Sequence, residues 1–296
     1  MELNRKILRF GLFLIVLSLI FTVGFVIIYR LDNPVFLKMY VEEYVSSNKN
    51  YNMVDRIELK YITNLSDDRK VTDIYFEEEP NIEVLVSHQP FGGGGFSFFD
   101  NSNNNQREDI YGRYVLRTLY LKIDLNNIDR ENYEIELNNA HIEFNDRSTI
   151  DVDLGRIIIY RDERRSNNIT SISSSSSSDG TSSFHGNVEK DIELLDIRSP
   201  LLEDLKDYLD ISIGDIDYRE ISGIKCKQNQ TLSIYTKFKT PENILGRYTF
   251  YDIKPKLYYQ DKNGEKAYER IYNIDYTPYD FDLKGIFNYL RARGAI

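Results

Sequence analysis

Twenty consecutive residues from Phe10 to Tyr29, FGLFLIVLSLIFTVGFVIIY, carry no charge and show no polar stripe. At a helical rise of about 1.5 Å per residue they cover the ~30 Å hydrocarbon core of a bilayer, and a helix satisfies its own backbone polar groups there. The run is longer than a typical signal-peptide core, and it ends in GFVIIYR without a small-residue cleavage motif. Both features favour a retained anchor over a cleaved signal.

The pattern changes directly after the span. Asn33 reads as a helix N-cap and Pro34 as the first helical residue. Phe36, Leu37, Tyr40, Val41, Tyr44 and Val45 then recur at i, i+1, i+4, i+5. That spacing predicts a juxtamembrane helix to about Ser46. From about 51 to 161 the chain switches to strand signals: VDRIELKYIT, VTDIYFE, NIEVLVSH, YGRYVLRTLYLKID, YEIEL, AHIEF, TIDVD and RIIIY. Short alternating runs in this number predict a β-sandwich, with Asn145-Asp146-Arg147-Ser148 as a hairpin turn.

A second region opens with VEKDIELLDI and a short helix in SPLLEDLKDYL, where Ser199 reads as N-cap. Strand signals resume in ISIGDIDY, EISGIKCK, TLSIYTKF, GRYTFYDI, KPKLYYQ and KAYERIYNI, with a tight turn at Asp261-Lys262-Asn263-Gly264. From Asp282, the residues Leu283, Ile286, Phe287 and Leu290 fall at i, i+3, i+4, i+7. They predict a terminal amphipathic helix, with Arg291 and Arg293 suiting its C-terminal end. Between the two regions lies SNNITSISSSSSSDGTSSFHG, whose apolar content is too low to offset ordering entropy.

The expected fold is therefore mainly β: one N-terminal transmembrane helix followed by two tandem antiparallel β-sandwich, Ig-like domains with short helices. The divisions are a tail over 1–9, the span over 10–29, a juxtamembrane helix or stalk over 30–50 and a first sandwich over 51–163. A flexible Ser-rich linker over 164–187 and a second sandwich over 188–296, ending in a helix, complete it.

Composition narrows the function classes. The 296 residues include 23 Tyr and 16 Phe but no Trp, which suits pleated, half-buried surfaces. The formal net charge is −10, and the chain beyond residue 29 holds 34 basic against 46 acidic residues. That surface repels phosphate backbones, so nucleic acid is excluded as a partner. Arg5, Lys6 and Arg9 crowd before the span, whereas Arg30, Lys38 and Lys49 are spread among acids after it. The positive-inside rule then places the N-terminus in the cytoplasm and the remainder outside the cell membrane. Cys226 is the sole cysteine, so no intramolecular disulfide forms, and its IKCK context reads as a small strand residue.

Candidate chemistry is sparse. The three histidines, His88, His141 and His185, accompany no G-x-S-x-G elbow, and the Gly-rich FGGGGFSFF run lacks a following Gly-Lys-Ser/Thr. No enzymatic activity and no cofactor are expected. Phe91, Phe96, Phe98 and Phe99 on that loop form the candidate binding surface, because clustered exposed aromatics mark contact sites. Asp151 and Asp153 sit at strand spacing on one face, the candidate position for Ca²⁺. Nine tyrosines between Tyr235 and Tyr279 could stack on sugars, or pair across strands in the core. The expected function is protein–protein binding or assembly at the cell envelope. A calcium- or carbohydrate-binding envelope module or enzyme, and a cytoplasm-facing accessory subunit of a membrane complex, remain open as alternatives.

Overall fold

The apolar N-terminal run does form a helix. In the computed structural model α1 spans Glu2–Ile28, and its segment Leu8–Ile28 is long and apolar enough to cross a membrane. Its large apolar side chains are exposed throughout that segment. The structure describes residues 2–46, 52–91, 108–128, 133–162, 168–177 and 179–296.

Everything after α1 is mostly β. The first half holds β1 (Val35–Phe36), β2 (Met39–Ser46), β3 (Met53–Asn64), β4 (Val71–Phe76) and β5 (Glu83–Ser87). It continues with β6 (Asp109–Tyr111), β7 (Tyr114–Asp124), β8 (Tyr133–Phe144) and β9 (Thr149–Asp162). Next come β10 (Ile169–Ser176), β11 (Thr181–Val188), β12 (Ile192–Arg198), α2 (Leu202–Leu205), β13 (Leu209–Ile213) and β14 (Ile216–Asp217). The last part comprises β15 (Lys225–Cys226), β16 (Thr231–Phe238), α3 (Ile244–Arg247), β17 (Phe250–Ile253) and β18 (Lys256–Asp261). It closes with β19 (Lys266–Arg270), β20 (Ile274–Tyr276) and α4 (Leu283–Ala292).

Among the described residues the strands form four sheets. One runs β1-β3-β7-β5 with β6 added to β7, and a second runs β20-β17-β2-β9-β8-β4. The third runs β10-β11-β16-β13-β14 and the fourth β15-β12-β18-β19. The second sheet carries strands from both halves of the chain. It is also mixed rather than antiparallel, because β2 pairs in parallel with β9 on one side and β17 on the other.

That parallel strand corrects the expected juxtamembrane helix over 33–46. Residues 36, 40, 44 and 37, 41, 45 are each four apart, and a spacing of four keeps a side chain on one face of a strand as well as on one side of a helix. As a strand with neighbours on both edges and packing on both faces, β2 buries Met39, Val41 and Val45 toward one core, while Tyr40 and Tyr44 pack against another. The apolar run in β9 has the same cause: Ile157 and Ile159 face the first core, Ile158 and Tyr160 the second.

The Ser-rich stretch is likewise not a linker where it is described. Strands β10 and β11 form an antiparallel hairpin from Ile169↔Val188 to Ser176↔Ser182, and β11 continues onto β16. Ser182, Phe184, Gly186 and Val188 are buried at alternate positions of β11. The helix expected around Ser199 shrinks to the single turn of α2. Ser199 accepts from the Leu201 N–H at 3.0 Å but donates its own hydroxyl to Glu42.

A third cluster lies apart from the two larger cores and joins distant elements. Leu31 and Leu37 meet Ile62, Tyr114 and Leu116 of the first sheet, together with Tyr248 and with Ile286, Tyr289 and Leu290 of α4. The terminal helix starts where the sequence placed it, with Asp282 accepting from the Gly285 N–H at 2.5 Å. Its buried face differs from the expected stripe: Ile286, Tyr289 and Leu290 are buried, Phe287 is half-buried and Leu283 is 52% exposed.

Candidate functional site

Two constellations stand out, and the first is the point where α1 meets the sheets. The last carbonyls of a helix have no partner within it, and cations are favoured there. Arg113 supplies a cation there, its guanidinium donating at 2.9 Å to the carbonyl of Val26 and at 3.2 Å to that of Phe25, which also accepts from the Tyr29 N–H. Next to it the Tyr114 hydroxyl donates to the Tyr29 carbonyl at 2.7 Å. Asn64 then clasps the backbone of Leu31 from both sides, accepting from its N–H at 3.0 Å and donating to its carbonyl at 2.7 Å.

Local sequence explains why Arg113 reaches the helix. Tyr111 and Tyr114 pair directly, so Gly112 and Arg113 form a two-residue hairpin loop, and Gly112 takes a φ of 64° that a side chain would resist. The Tyr29 ring is held between Phe25, 4.7 Å away, and Phe287 of α4, 5.2 Å away. Tyr248 supports α4 from beneath, stacking on Phe281 at 4.9 Å and meeting Tyr289 edge-on at 5.4 Å. Gly285 is required there, because a Cβ at that position would run into the Tyr248 hydroxyl.

The second constellation is a buried charged junction centred on β2. Glu42 is wholly buried, and its carboxylate accepts from the Tyr160 hydroxyl, from Ser199 Oγ at 2.6 Å and from the Lys254 backbone N–H at 2.6 Å. Lys254 donates its ammonium to the Glu42 carbonyl at 2.7 Å and pairs with Glu43 at 2.8 Å and Asp252 at 3.3 Å. Arg270 donates to the Lys254 carbonyl at 3.0 Å and lies over the rings of Tyr44 and Tyr160, 5.1 and 4.8 Å from their centres.

Burial sets the electrostatics of this junction. Removal from water pushes the Asp252 carboxyl up to about 6, against the pull of Lys254 and with a smaller push from Glu43. Burial works against the charge on Lys254, but Asp252 and Glu43 together outweigh it and hold the ammonium protonated. The Tyr160 hydroxyl is driven far up by burial and by the Glu42 charge, so it stays a donor. Clefts of about 550 and 390 Å³ open on either side, and Lys254 lines both. All three groups seen on the Glu42 carboxylate are protein donors, so it ties β2, β9, the β17–β18 turn and the β12–α2 turn into one unit.

The residues singled out from sequence fall elsewhere. Phe91 is half-buried, and Phe96, Phe98 and Phe99 lie outside the described residues. Asp151 and Asp153 share the exposed side of β9 but are engaged separately. Asp151 meets His141 Nδ1 at 2.7 Å, while Asp153 pairs with Lys38 at 2.5 Å and accepts from the Gly155 N–H at 2.9 Å. Among the described residues, no three His, Cys, Asp or Glu side chains converge in a metal-binding group. His185 sits in strand β11, with Nδ1 2.9 Å from Ser233 Oγ, instead of in a mobile segment, and His88 Nε2 lies 3.0 Å from the Val71 carbonyl. Cys226 is buried in β15, and burial pushes its thiol up. Of the nine tyrosines from Tyr235 to Tyr279, Tyr248, Tyr251, Tyr259 and Tyr276 are buried, while Tyr235 and Tyr279 are exposed.

Sequence reading missed Arg113, Glu42 and Lys254. The available signal was slight: Arg113 in YGRY and the Glu42-Glu43 pair in YVEEYV stand among aromatic or apolar residues, and Lys254 in DIKPK has no such mark.

No family model matches the chain, and none of the curated proteins does. Among solved structures, a marsupial T cell receptor aligns over 82% of this chain and 62% of its own, at 8% identity and a TM-score of 0.20. The adhesive subunit CfaE of the CFA/I fimbria of enterotoxigenic Escherichia coli aligns over 81% of this chain and 86% of its own, at 11% identity and a TM-score of 0.18. The human desmocollin-1 ectodomain aligns over 81% of this chain and 58% of its own, at 6% identity and a TM-score of 0.20. The chain thus spans less than two thirds of the length of the receptor and desmocollin chains.

Proposed function

We propose that this is a single-pass membrane protein of the cell envelope, with no catalytic activity of its own, whose exported β-sandwich region binds or assembles with another protein. The observation that carries the reading is the seat built for the end of α1 by Arg113, Tyr114 and Asn64. A helix removed after export would have no need of the Arg113 guanidinium on its last carbonyls, or of Tyr114 and Asn64 on the residues that follow it. The two large cores on opposite faces of the second sheet support an arrangement of two fused sandwiches. Asp151 and Asp153 favour the binding reading over the calcium one, since each already has a cationic or imidazole partner.

Carbonate extraction followed by protease treatment of intact cells tests this. The expected result is a chain that stays in the membrane pellet and loses its C-terminal region to external protease. Protection of that region would replace the exported reading with a cytoplasm-facing subunit, and release into the carbonate supernatant would remove the anchor. Photo-crosslinking from a probe at Phe98 then tests the Gly/Phe loop as the contact surface, and capture of no protein there would count against it.

A further inference from the structure

Resting on the anchor reading, we propose that the folded region has its own lipid-contact surface: a collar around the exit of α1 that lies on an anionic bilayer surface. The stripe expected in the core from its i, i+3, i+4, i+7 spacing is the first clue. Helix α4 buries Ile286, Tyr289 and Leu290 and turns Leu283 outward, with Phe287 half-exposed against Tyr29. On the same outer side, Lys284 and Arg291 are exposed. Apolar and cationic side chains sharing one helix face fit the boundary between headgroups and acyl chains.

Two further apolar side chains belong to the same place. The Gly112–Arg113 turn touches Leu283, because a Cβ on Gly112 would lie 3.2 Å from Leu283 Cδ1. Ile110, one residue pair along the ladder from that turn, is 57% exposed. The Leu65 N–H donates to the Arg113 carbonyl at 2.8 Å, and its side chain is also exposed. Since Arg113 grips the carbonyls of residues 25 and 26, this turn is fixed at the level of the span's last turn. The occupant is therefore set by continuity: the surface surrounds the point where a bilayer-crossing helix emerges.

The charge on α4 agrees with that occupant. The chain is strongly acidic, yet residues 283–296 hold Lys284, Arg291 and Arg293 and no acid. Of the nearby carboxylates, Glu108 pairs with Arg117 at 3.0 Å, whereas Asp32, Asp68, Asp109, Asp280 and the α4 cap Asp282 are exposed, with Arg30 an exposed cation at the exit of α1. Basic residues at a membrane surface are drawn to anionic lipid, an attraction that salt screens.

The test uses the full chain in vesicles of phosphatidylcholine with or without phosphatidylglycerol. The protein has no tryptophan, so single probes at Leu283→Trp, Ile110→Trp, Phe21→Trp and Ile172→Trp report on their own sites. All are to be checked for an unchanged thermal transition. Expected are blue-shifted emission and quenching by shallow brominated lipid at the 283 and 110 probes, strongest in anionic vesicles, and quenching at the 21 probe by deeply brominated lipid. The 172 probe on the β10–β11 hairpin should be unaffected. Lys284→Glu with Arg291→Glu should lose the anionic-lipid increment at the 110 probe. Quenching at 21 but at neither 283 nor 110 overturns the collar and leaves the anchor. Absence of quenching at 21 overturns both. Shielding of the 283 probe from aqueous acrylamide without bromolipid quenching assigns the face to a protein contact and overturns the lipid one.

Discussion

Tyr114 and Tyr29 are 85 positions apart, and the hydroxyl of the first donates to the backbone carbonyl of the second at 2.7 Å. With the adjacent Arg113 bonds this gives the end of α1 a fixed place beside β7, so the apolar helix and the sheet are joined by more than the connecting chain. A hydrogen bond contributes about 1 kcal/mol net, and one from a charged group about 1.5–3. Arg113→Ala should therefore raise amide exchange at residues 28–31 by about tenfold or more, at ~1.4 kcal/mol per decade. Tyr114→Phe should raise it less. Unchanged exchange in both variants would show that the covalent link alone positions the helix.

The Glu42 junction makes a sharper demand. Three donors from separate elements converge on one buried carboxylate, and each would be orphaned by its removal. Removing the acceptor costs about 3–5 kcal/mol in sum, because three buried neutral donors are left without a partner at about 1–3 kcal/mol each. Glu42→Ala is expected to lower the urea midpoint by that equivalent. Glu42→Gln should fall between, since its amide keeps one acceptor but turns an N–H₂ toward a donor. A Glu42→Ala midpoint within experimental error of the parent would remove the junction as a structural tie.

Asp252 sets a pH dependence of definite sign. Its carboxyl is raised from 3.8 to about 6 in the folded chain. Between those values the folded state holds more protons than the unfolded one, so stability falls as pH rises through this window. Below about pH 3.8 the contribution is fully present, and above about pH 6 it is lost. Because the side chain is 41% exposed, solvent screening keeps the effect below ~2 kcal/mol. Denaturation at pH 4.5 and 6.5, compared between the parent and Asp252→Asn, should show a fall with rising pH that the variant lacks. An identical pH slope in both would contradict the assignment.

What the sequence made legible follows from the range of the interactions involved. The apolar run of α1, the Asp282 cap of α4 and the alternation of β7 are local signals. So are the turns at 145–148 and 261–264, where Asp146 accepts from the Ser148 N–H and Asp261 from the Asn263 N–H. Strand β2 was misread because its two buried faces give a spacing that a helix shares. Strand β10 gave no signal at all: seven of its eight residues are exposed, and its order comes from pairing with β11. The candidate sites are further from view still. Lys254 reaches Glu42 across 212 positions and Arg113 reaches Phe25 across 88, and no local pattern marks either partner.

The parallel pairing of β2 with β9 rests on a glycine. Gly155 lies opposite Met39 with a φ of 96°, and a Cβ there would overlap the Met39 carbonyl oxygen. Backbone cannot yield as a side-chain tip can, so Gly155→Ala has to displace β2 from the centre of the sheet that both halves of the chain share. Gly214 provides the contrast: its φ is 58°, but the space around it is open. Alanine at Gly214 bears only the left-handed backbone cost, about 1–2 kcal/mol. Alanine at Gly155 bears that cost and the loss of β2 pairing, for a total of ~4 kcal/mol or more. Chemical denaturation of the two variants should therefore separate them clearly, with Gly155→Ala also exposing Glu42 and the residues packed behind it to solvent. Equal losses in the two variants would mean that β2 adjusts to the added methyl, and that the shared sheet is not pinned at this residue.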